Sequence, residues 1–386
     1  MITLTDQQNK ALHIIKDWLK DFLPHKSKPY CYIAGFAGTG KTTLIKTLLQ
    51  EYKPKQVKLA TFTGKAAKVV NERTGLSCST IHSLIYEPET DAEGNIIRWV
   101  FNKNKSDMSN VKLIILDEVS MVSDIIWNDL LKFEKPIVVF GDPFQLPPVS
   151  GKEIFVSGRE DYFLTEIHRQ ALDNPIIAMS KAIREGREIP YGNYEDKLIK
   201  IASSKDYFQG NAELFLSFEQ IICGTNNTRK NLNHQVRNVL LNHTSILPEE
   251  NEKIICLKNN HSMGIMNGEI LTTTTKSFGY KEYEGIFYNK TIIENSKKPK
   301  FYRFISDNYD MQVRKRGFTK DFDIRYYGDY LETDFAYCIT THKAQGSQYN
   351  SGIIFDESTV FKTMRDRWLY TAITRFIDKV LIISEK

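Results

Sequence analysis

The chain predicts an α/β protein: two units built on parallel sheets, with a β-hairpin inserted in the first and a small β-barrel in the second. Three observations carry this. An apolar run, Tyr32-Ile33-Ala34, leads into Gly35-Phe-Ala-Gly-Thr-Gly40-Lys41-Thr42-Thr43 and then into helical spacing at Leu44, Ile45, Leu48 and Leu49. Buried-strand runs that end in polar turns recur along the chain, at 57–63, 113–118, 136–148, 220–227 and 335–347. Between 245 and 332 helical periodicity disappears, and short β-like runs alternate with Gly and Asn turns. At 386 residues the chain also exceeds what one core usually holds. The expected division is a first unit at 1–84 and 106–170, a hairpin at 85–105, a second unit at 171–244 and 333–386, and a barrel at 245–332.

Taken in order, residues 5–22 are amphipathic, with Ala11, Ile14, Ile15, Trp18, Leu19 and Phe22 on one face. Thr5 and Gln8 have the spacing of a capping box. After the glycine loop, Val57-Lys-Leu-Ala60 runs into Thr63-Gly64-Lys65, a strand, a turn and a helix start. Residues 79–84 form a short polar–apolar element containing His82. Ile85-Tyr86-Glu87 and Ile96–Phe101 flank the turn-rich Asp91–Asn95 and read as a hairpin, a projection rather than core. Trp99 and Phe101 read as packing residues of that hairpin ahead of wedge residues. Residues 173–187 are helical in pattern, as is the run bearing Leu232, Val236 and Leu240. Strands at 353–355 and 379–384 bracket a helix at 365–376 with Tyr370, Thr374 and Arg375.

Composition excludes several classes. The five cysteines are scattered and lack any Cys-x-x-Cys pair, which argues against a disulfide framework or structural zinc. No apolar run approaches a membrane span and the N-terminus lacks a signal pattern, so an intracellular, cytoplasmic protein is expected. Net charge is +5, from 52 basic and 47 acidic residues, which permits a nucleic-acid partner without requiring one. Between Lys297 and Lys320 eight basic residues interleave with Phe301, Tyr302, Phe304 and Tyr309. That mixture suits a single-strand backbone and its bases, and equally a solvated face of a small β-domain.

The glycine loop has the chemistry of polyphosphate binding. Its glycines let successive N–H groups point at phosphate, and the helix N-terminus adds its positive end. Gly38, Thr39, Gly40 and Thr43 build this cradle, Lys41 reaches the β- and γ-phosphates, and Thr42 ligates Mg²⁺. Leu113-Ile-Ile-Leu116-Asp117-Glu118 supplies the second half: Asp117 for the metal and Glu118 as base toward water. NTP hydrolysis is the leading reading. Gln145, after the strand at 136–141, senses phosphate or orients water, or is an ordinary loop glutamine. Arg169 and Arg375 are candidates for an arginine presented from the neighbouring unit, a device worth about 10³–10⁵ in rate. An arginine that engages only on closure couples hydrolysis to domain motion, which makes a motor.

The ordered set GFAGTGKTT, ATFTGKAA, STIHSL, LDEVSM, GDPFQLPPV, LTEIHRQ, ITTHKAQGSQ and LYTAITR resembles the superfamily 1 helicases of the RecD-like branch. It is most similar to the Dda-type helicases of tailed bacteriophages. The resemblance implies RecA-like sheets in both units and an SH3-like barrel insert. It implies an ATP-dependent DNA helicase moving 5′ to 3′, with ATP and Mg²⁺ as cofactors and a role in replication or recombination. It assigns Gln8 to adenine, and Gln145, Arg169, Gln345 and Arg375 to the γ-phosphate. Thr63, His82, Phe144, Thr341 and His342 fall to the single-strand channel, and the hairpin becomes a separating pin. Single-stranded DNA and strand junctions are the implied partners, alongside single-strand-binding or replication proteins, with the chain acting as a monomer.

Other readings keep some of these residues. A DNA-stimulated translocase that strips proteins without unwinding differs only in the hairpin. A P-loop kinase of a small metabolite has no use for two arginines and a second α/β unit. A relic, non-catalytic binder is opposed by the intact Lys41, Asp117, Glu118 and Arg375. RNA in place of DNA depends on contact with the 2′-hydroxyl.

Overall fold

A computed structural model describes residues 4–23, 28–90, 96–102, 108–166, 174–203, 211–244, 248–257, 259, 265–273, 278–283, 286–291, 300–305 and 330–385. The chain groups into two units: Met1–Ile189 with Asp366–Thr374, and Pro190–Arg365 with Arg375–Lys386.

In the first unit, β1 (Tyr30–Gly35), β2 (Val57–Thr61), β3 (Cys78–Thr80), β6 (Leu113–Asp117), β7 (Ile137–Gly141) and β8 (Tyr162–Leu164) form one parallel sheet in the order β3-β2-β6-β7-β1-β8. Alternation along each strand splits the core in two. Cys31, Ile33, Leu113 and Ile115 pack on one face with Ala11, Ile15, Leu44 and Leu48. Tyr32, Ala34, Ile114 and Leu116 pack on the other with Ile81, Leu84, Trp127 and Leu130. The N-terminal helix, Asp6–Lys20, buries Ala11, Leu12 and Ile15, and its capping box is formed.

Between β3 and β6, β4 (Tyr86–Thr90) and β5 (Ile96–Phe101) pair antiparallel as a separate two-stranded sheet. The turn expected at 91–95 lies outside the described residues. The two aromatics singled out on β5 part company. Phe101 packs 5.5 Å from the Phe133 ring, with the Lys132 ammonium 4.8 Å above it, whereas Trp99 is half-exposed. The packing expectation therefore fits Phe101 but not Trp99.

The second unit holds two sheets. β9 (Gly192–Tyr194), β10 (Leu198–Ser203), β11 (Gln220–Cys223), β18 (Cys338–Thr340), β19 (Tyr349–Asp356) and β20 (Phe376–Glu385) run in the order β18-β11-β19-β20-β10-β9, parallel except for the edge strand β9. Between β11 and β18 lie β12 (Lys253–Cys256), β13 (Ile270–Thr272), β14 (Phe278–Tyr283), β15 (Ile286–Thr291), β16 (Lys300–Ile305) and β17 (Tyr330–Phe335), a sheet ordered β13-β12-β17-β16-β15-β14. Its pairings are antiparallel except β16 with β17, which run parallel. Among the described residues this sheet has six strands, in the segment that the sequence reads as a small antiparallel barrel. Most of the basic–aromatic stretch at 297–320 lies outside the described residues, 300–305 being strand.

The unit boundary also differs from the expected one. Residues 174–189 and 366–374, assigned by sequence to the second unit, group with the first. Hydrogen bonding explains the latter: Arg367 bridges to Glu153, Thr371 Oγ1 accepts the Leu146 N–H, and Tyr370 reaches Asp142. Among the described residues no helix is long and apolar enough to cross a membrane.

Candidate active site

Each parallel strand of the first unit delivers its polar residues at the same C-terminal edge, as open α/β sheets do. β1 ends in the glycine loop, β6 in Asp117 and Glu118, and β7 in Asp142 and Gln145. Gly38 and Gly40 adopt φ of 80° and 79°, the left-handed region that lets the loop curl. The helix that follows, Lys41–Leu49, has no side chain capping its N-terminus, so its first N–H groups face the loop. Lys41 donates to the carbonyls of Gly35 (2.6 Å) and Phe36 (2.9 Å), inside the loop it is expected to serve. Buried Thr39 closes the turn by donating from Oγ1 to the Phe36 carbonyl.

Gln8 fills its capping-box role and makes a second contact that the sequence does not suggest. Its Oε1 accepts the Thr5 N–H in the capping box, while its Nε2 donates 3.1 Å to the Thr39 carbonyl. The buried amide thus braces the loop from behind. Gln7, which no motif flagged, accepts the Thr165 and Glu166 N–H groups after β8.

Asp117 is buried at the strand end and accepts the Glu118 N–H. Glu118 itself is left-handed, φ 55° and ψ 45°, a conformation that costs about 1–3 kcal/mol in a non-glycine residue and gathers at functional sites. Gln145 is buried, and its Oε1 has no hydrogen-bond partner among the described residues. An orphaned acceptor on this edge is a place for a ligand or water.

One cluster here was not legible as a motif. Tyr370 donates to the Asp142 carboxylate and accepts the Ala37 N–H of the glycine loop. Burial pushes the Asp142 carboxyl above its ordinary value, opposed by nearby Lys41 and the Tyr370 hydroxyl. The Arg184 guanidinium lies 3.2 Å from the Phe36 ring centroid. Phe144, expected on a nucleic-acid face, is drawn into this group, 5.7 Å from Phe36 and 6.5 Å from Tyr370.

The remaining expected nucleic-acid residues fall into two places. In the first unit Thr63 caps the helix Gly64–Thr74 by accepting the Ala66 N–H, and neighbouring Phe62 packs 5.6 Å from the His82 ring. His82 also stands 5.7 Å from Tyr86 at the base of the hairpin. In the second unit Thr341 donates to the Cys223 carbonyl, and the His342 ring lies 6.1 Å from Phe361. Burial lowers both histidines below 6.5, so they are neutral at pH 7. Gln345 and Arg375 are buried in that unit, Arg375 donating to the Ser347 carbonyl at 3.3 Å. Arg169 lies outside the described residues.

The site can be set beside known proteins. A family profile described as the AAA domain matches residues 18–202, and one described as the UvrD-like helicase C-terminal domain matches 335–383. The chain is 33% identical over 178 residues to the ATP-dependent RecD2 DNA helicase of Deinococcus radiodurans, covering 44% of this chain and 24% of that protein. It is 30% identical over 198 residues to the ATP-dependent DNA helicase dda of phage T4, covering 48% and 43%. The chain thus spans less than half the length of either relative. Similarity to the ATP-dependent DNA helicase Pif1 of Campylobacter jejuni is 24% over 391 residues, covering 89% and 86%. In fold the chain matches a crystal structure of Bacteroides Pif1 bound to ssDNA, with TM-score 0.55, 19% identity, and coverage of 99% and 92%. Together with the phosphate loop and the paired acids on one sheet edge, these similarities show that the chain resembles the superfamily 1 helicases of the RecD/Pif1/Dda type.

Proposed function

We propose that this chain is an ATP-dependent DNA helicase that moves 5′ to 3′ on single-stranded DNA and separates duplex strands. The observation that carries the reading is the glycine loop of 35–43 on the same sheet edge as Asp117, Glu118 and Gln145. The loop fits a polyphosphate: its helix N-terminus is uncapped, and a side chain at Gly35 would collide with Thr39 Oγ1 at 2.8 Å. Thr42 and Asp117 would hold Mg²⁺, which supplies charge neutralisation between the phosphate oxygens and needs few protein ligands.

The chain's own residues do the rest. Lys41 leaves the Gly35 and Phe36 carbonyls for the phosphates, while Gly38, Thr39, Gly40 and Thr43 shape the cradle. Glu118 takes a proton from the attacking water, and Gln145 orients that water through its orphaned Oε1. Gln8 holds the loop in register beside the base. Gln345, Arg169 and Arg375 answer the γ-phosphate. Arg375→Ala should cut turnover by orders of magnitude with little loss of nucleotide affinity, the signature of a transition-state contact.

Thr63, His82, Thr341 and His342 line the DNA track. The neutral imidazoles stack and hydrogen-bond without supplying charge. The hairpin of β4 and β5 serves as the separating pin, and the insert of β12–β17 as an SH3-like accessory domain. The half-exposed Trp99 is the aromatic on that hairpin available to a duplex end.

The test is strand separation with matched duplexes carrying a 5′ or a 3′ single-stranded tail, with Lys41→Ala as control. Unwinding only of the 5′-tailed duplex supports motor, track and polarity together. Single-strand-stimulated ATPase without unwinding would favour a translocase, and no stimulation by DNA would overturn the reading.

A further inference from the structure

Arg184 ends the helix Pro175–Arg184, and its place in the sequence suggests only a cation in a last helical turn. Its surroundings are more specific. The guanidinium carbon lies over the ring of Phe36, the second residue of the phosphate loop, 3.2 Å from the ring centroid. It is also 5.6 Å from the Tyr370 ring and 6.0 Å from that of Phe144. Lys41 contacts the carbonyl of the same Phe36 at 2.9 Å. Two cations therefore meet on one loop residue.

The nearest acids do not complete this arrangement. Asp142 is taken by the Tyr370 hydroxyl and the Phe144 N–H, and Glu185 pairs with Arg187 and Lys181. Arg184 Nε is buried without a hydrogen-bond partner among the described residues. A guanidinium is never neutral in a protein, and leaving its donors desolvated and unpaired is costly unless an anion arrives. Ring stacking orients the planar fork but satisfies none of its N–H groups.

We infer that Arg184 is a phosphate-binding residue of the nucleotide site, contacting the terminal phosphate of a bound nucleoside triphosphate. The assignment rests on the ATP reading above and deepens it. Ala37, whose N–H is held by Tyr370, sits at the start of the loop opposite the end that leads into Lys41 and Thr42. Arg184 and the Lys41 ammonium both meet Phe36 at that start, so the two cations would share the terminal phosphate of a triphosphate, a group that a diphosphate lacks.

Fluorescence titration of the full chain with a mant-labelled β,γ-imido triphosphate and with mant-ADP tests this. For Arg184→Ala, triphosphate affinity should fall by about ten- to a hundredfold, the range of a lost charge-assisted hydrogen bond, while ADP affinity stays within about twofold. Arg184→Lys, which keeps the charge and loses the planar fork, should fall between the two proteins. Equal losses for both nucleotides would reduce Arg184 to a packing residue of the loop, and no loss for either would remove it from the site; both outcomes overturn the inference. If the unmodified chain binds neither nucleotide, the ATP reading fails as well, a result distinct from a defect confined to the variants.

Discussion

The Tyr370 hydroxyl joins the Asp142 carboxylate at the end of β7 to the Ala37 N–H of the phosphate loop, across more than 200 residues of sequence. Asp142 is 1% exposed and its remaining donor is the Phe144 N–H. Two strand ends and a helix from near the C-terminus thus share one hydroxyl. Tyr370→Phe keeps the ring and deletes that link. The buried carboxylate then loses its charge-stabilising donor, for an expected cost of about 1–3 kcal/mol in urea unfolding. ATP turnover should fall with it, because Asp142 and the loop are no longer tied. Unchanged stability would mean that the hydroxyl contributes nothing beyond its packing.

Gly35→Ala places a methyl 2.8 Å from Thr39 Oγ1 and 3.0 Å from Leu164 Cβ. The Thr39 bond to the Phe36 carbonyl must give way, and with it the curl of the loop. A displacement near 1 Å can cost on the order of 10²-fold in rate. Steady-state ATPase should show that loss, and adding Thr39→Ala should recover part of it by making room. A Gly35→Ala enzyme with normal turnover would show the loop to be more pliant than its contacts imply.

Arg237 and Glu252 form a bidentate pair at 2.6 and 3.1 Å, 5% and 0% exposed, beneath the insert of the second unit. Glu252 also accepts the Glu249 N–H, and the Arg237 guanidinium rests 3.8 Å from the Phe335 ring centroid. Removing Arg237 strips the buried Glu252 of its guanidinium and leaves it the Glu249 N–H and the His243 ring, 3.2 Å away, a loss of about 3–5 kcal/mol. Arg237→Met should therefore destabilise the chain strongly in denaturant unfolding. Pairing it with Glu252→Gln should restore much of the loss, and strict additivity of the two would count against a coupled pair.

His82 and His342 supply a pH prediction. Burial lowers both below the ordinary 6.5, so the unfolded chain takes up their protons first as pH falls. Since stability rises with pH wherever the unfolded state binds more protons, their contribution is intact above 6.5 and declines as pH drops through 6.5 toward the folded values. Thermal melts across that window should show the decline, flattened in His82→Gln/His342→Gln. An identical acid slope in the variant would place the dependence on other groups.

The phosphate loop was legible from sequence because its signals are local. A buried β1, glycines at left-handed turn positions and a helix with one apolar face all act within about 20 residues. The same holds for the strand ending at Asp117 and for the capping box of Thr5 and Gln8. The insert was only half legible: its strand-rich texture showed in the sequence, but β14 and β17 were not marked there, and the parallel pairing of β16 with β17 depends on how distant strands are brought together. Likewise nothing in the local pattern around Phe144 separates a DNA contact from a neighbour of Phe36.

What the sequence by itself determined is the chemistry available and the order in which strands deliver it: Lys41 after β1, Asp117 and Glu118 after β6, Gln145 after β7. Tertiary structure alone decided which side chains surround that chemistry. Tyr370 on Asp142, Arg184 on Phe36 and the second bond of Gln8 to Thr39 each join residues far apart in the chain. Local propensity sets backbone conformation over a few residues, whereas contacts at such separations exist only after the apolar faces of the sheet are covered and the helices are fixed in place.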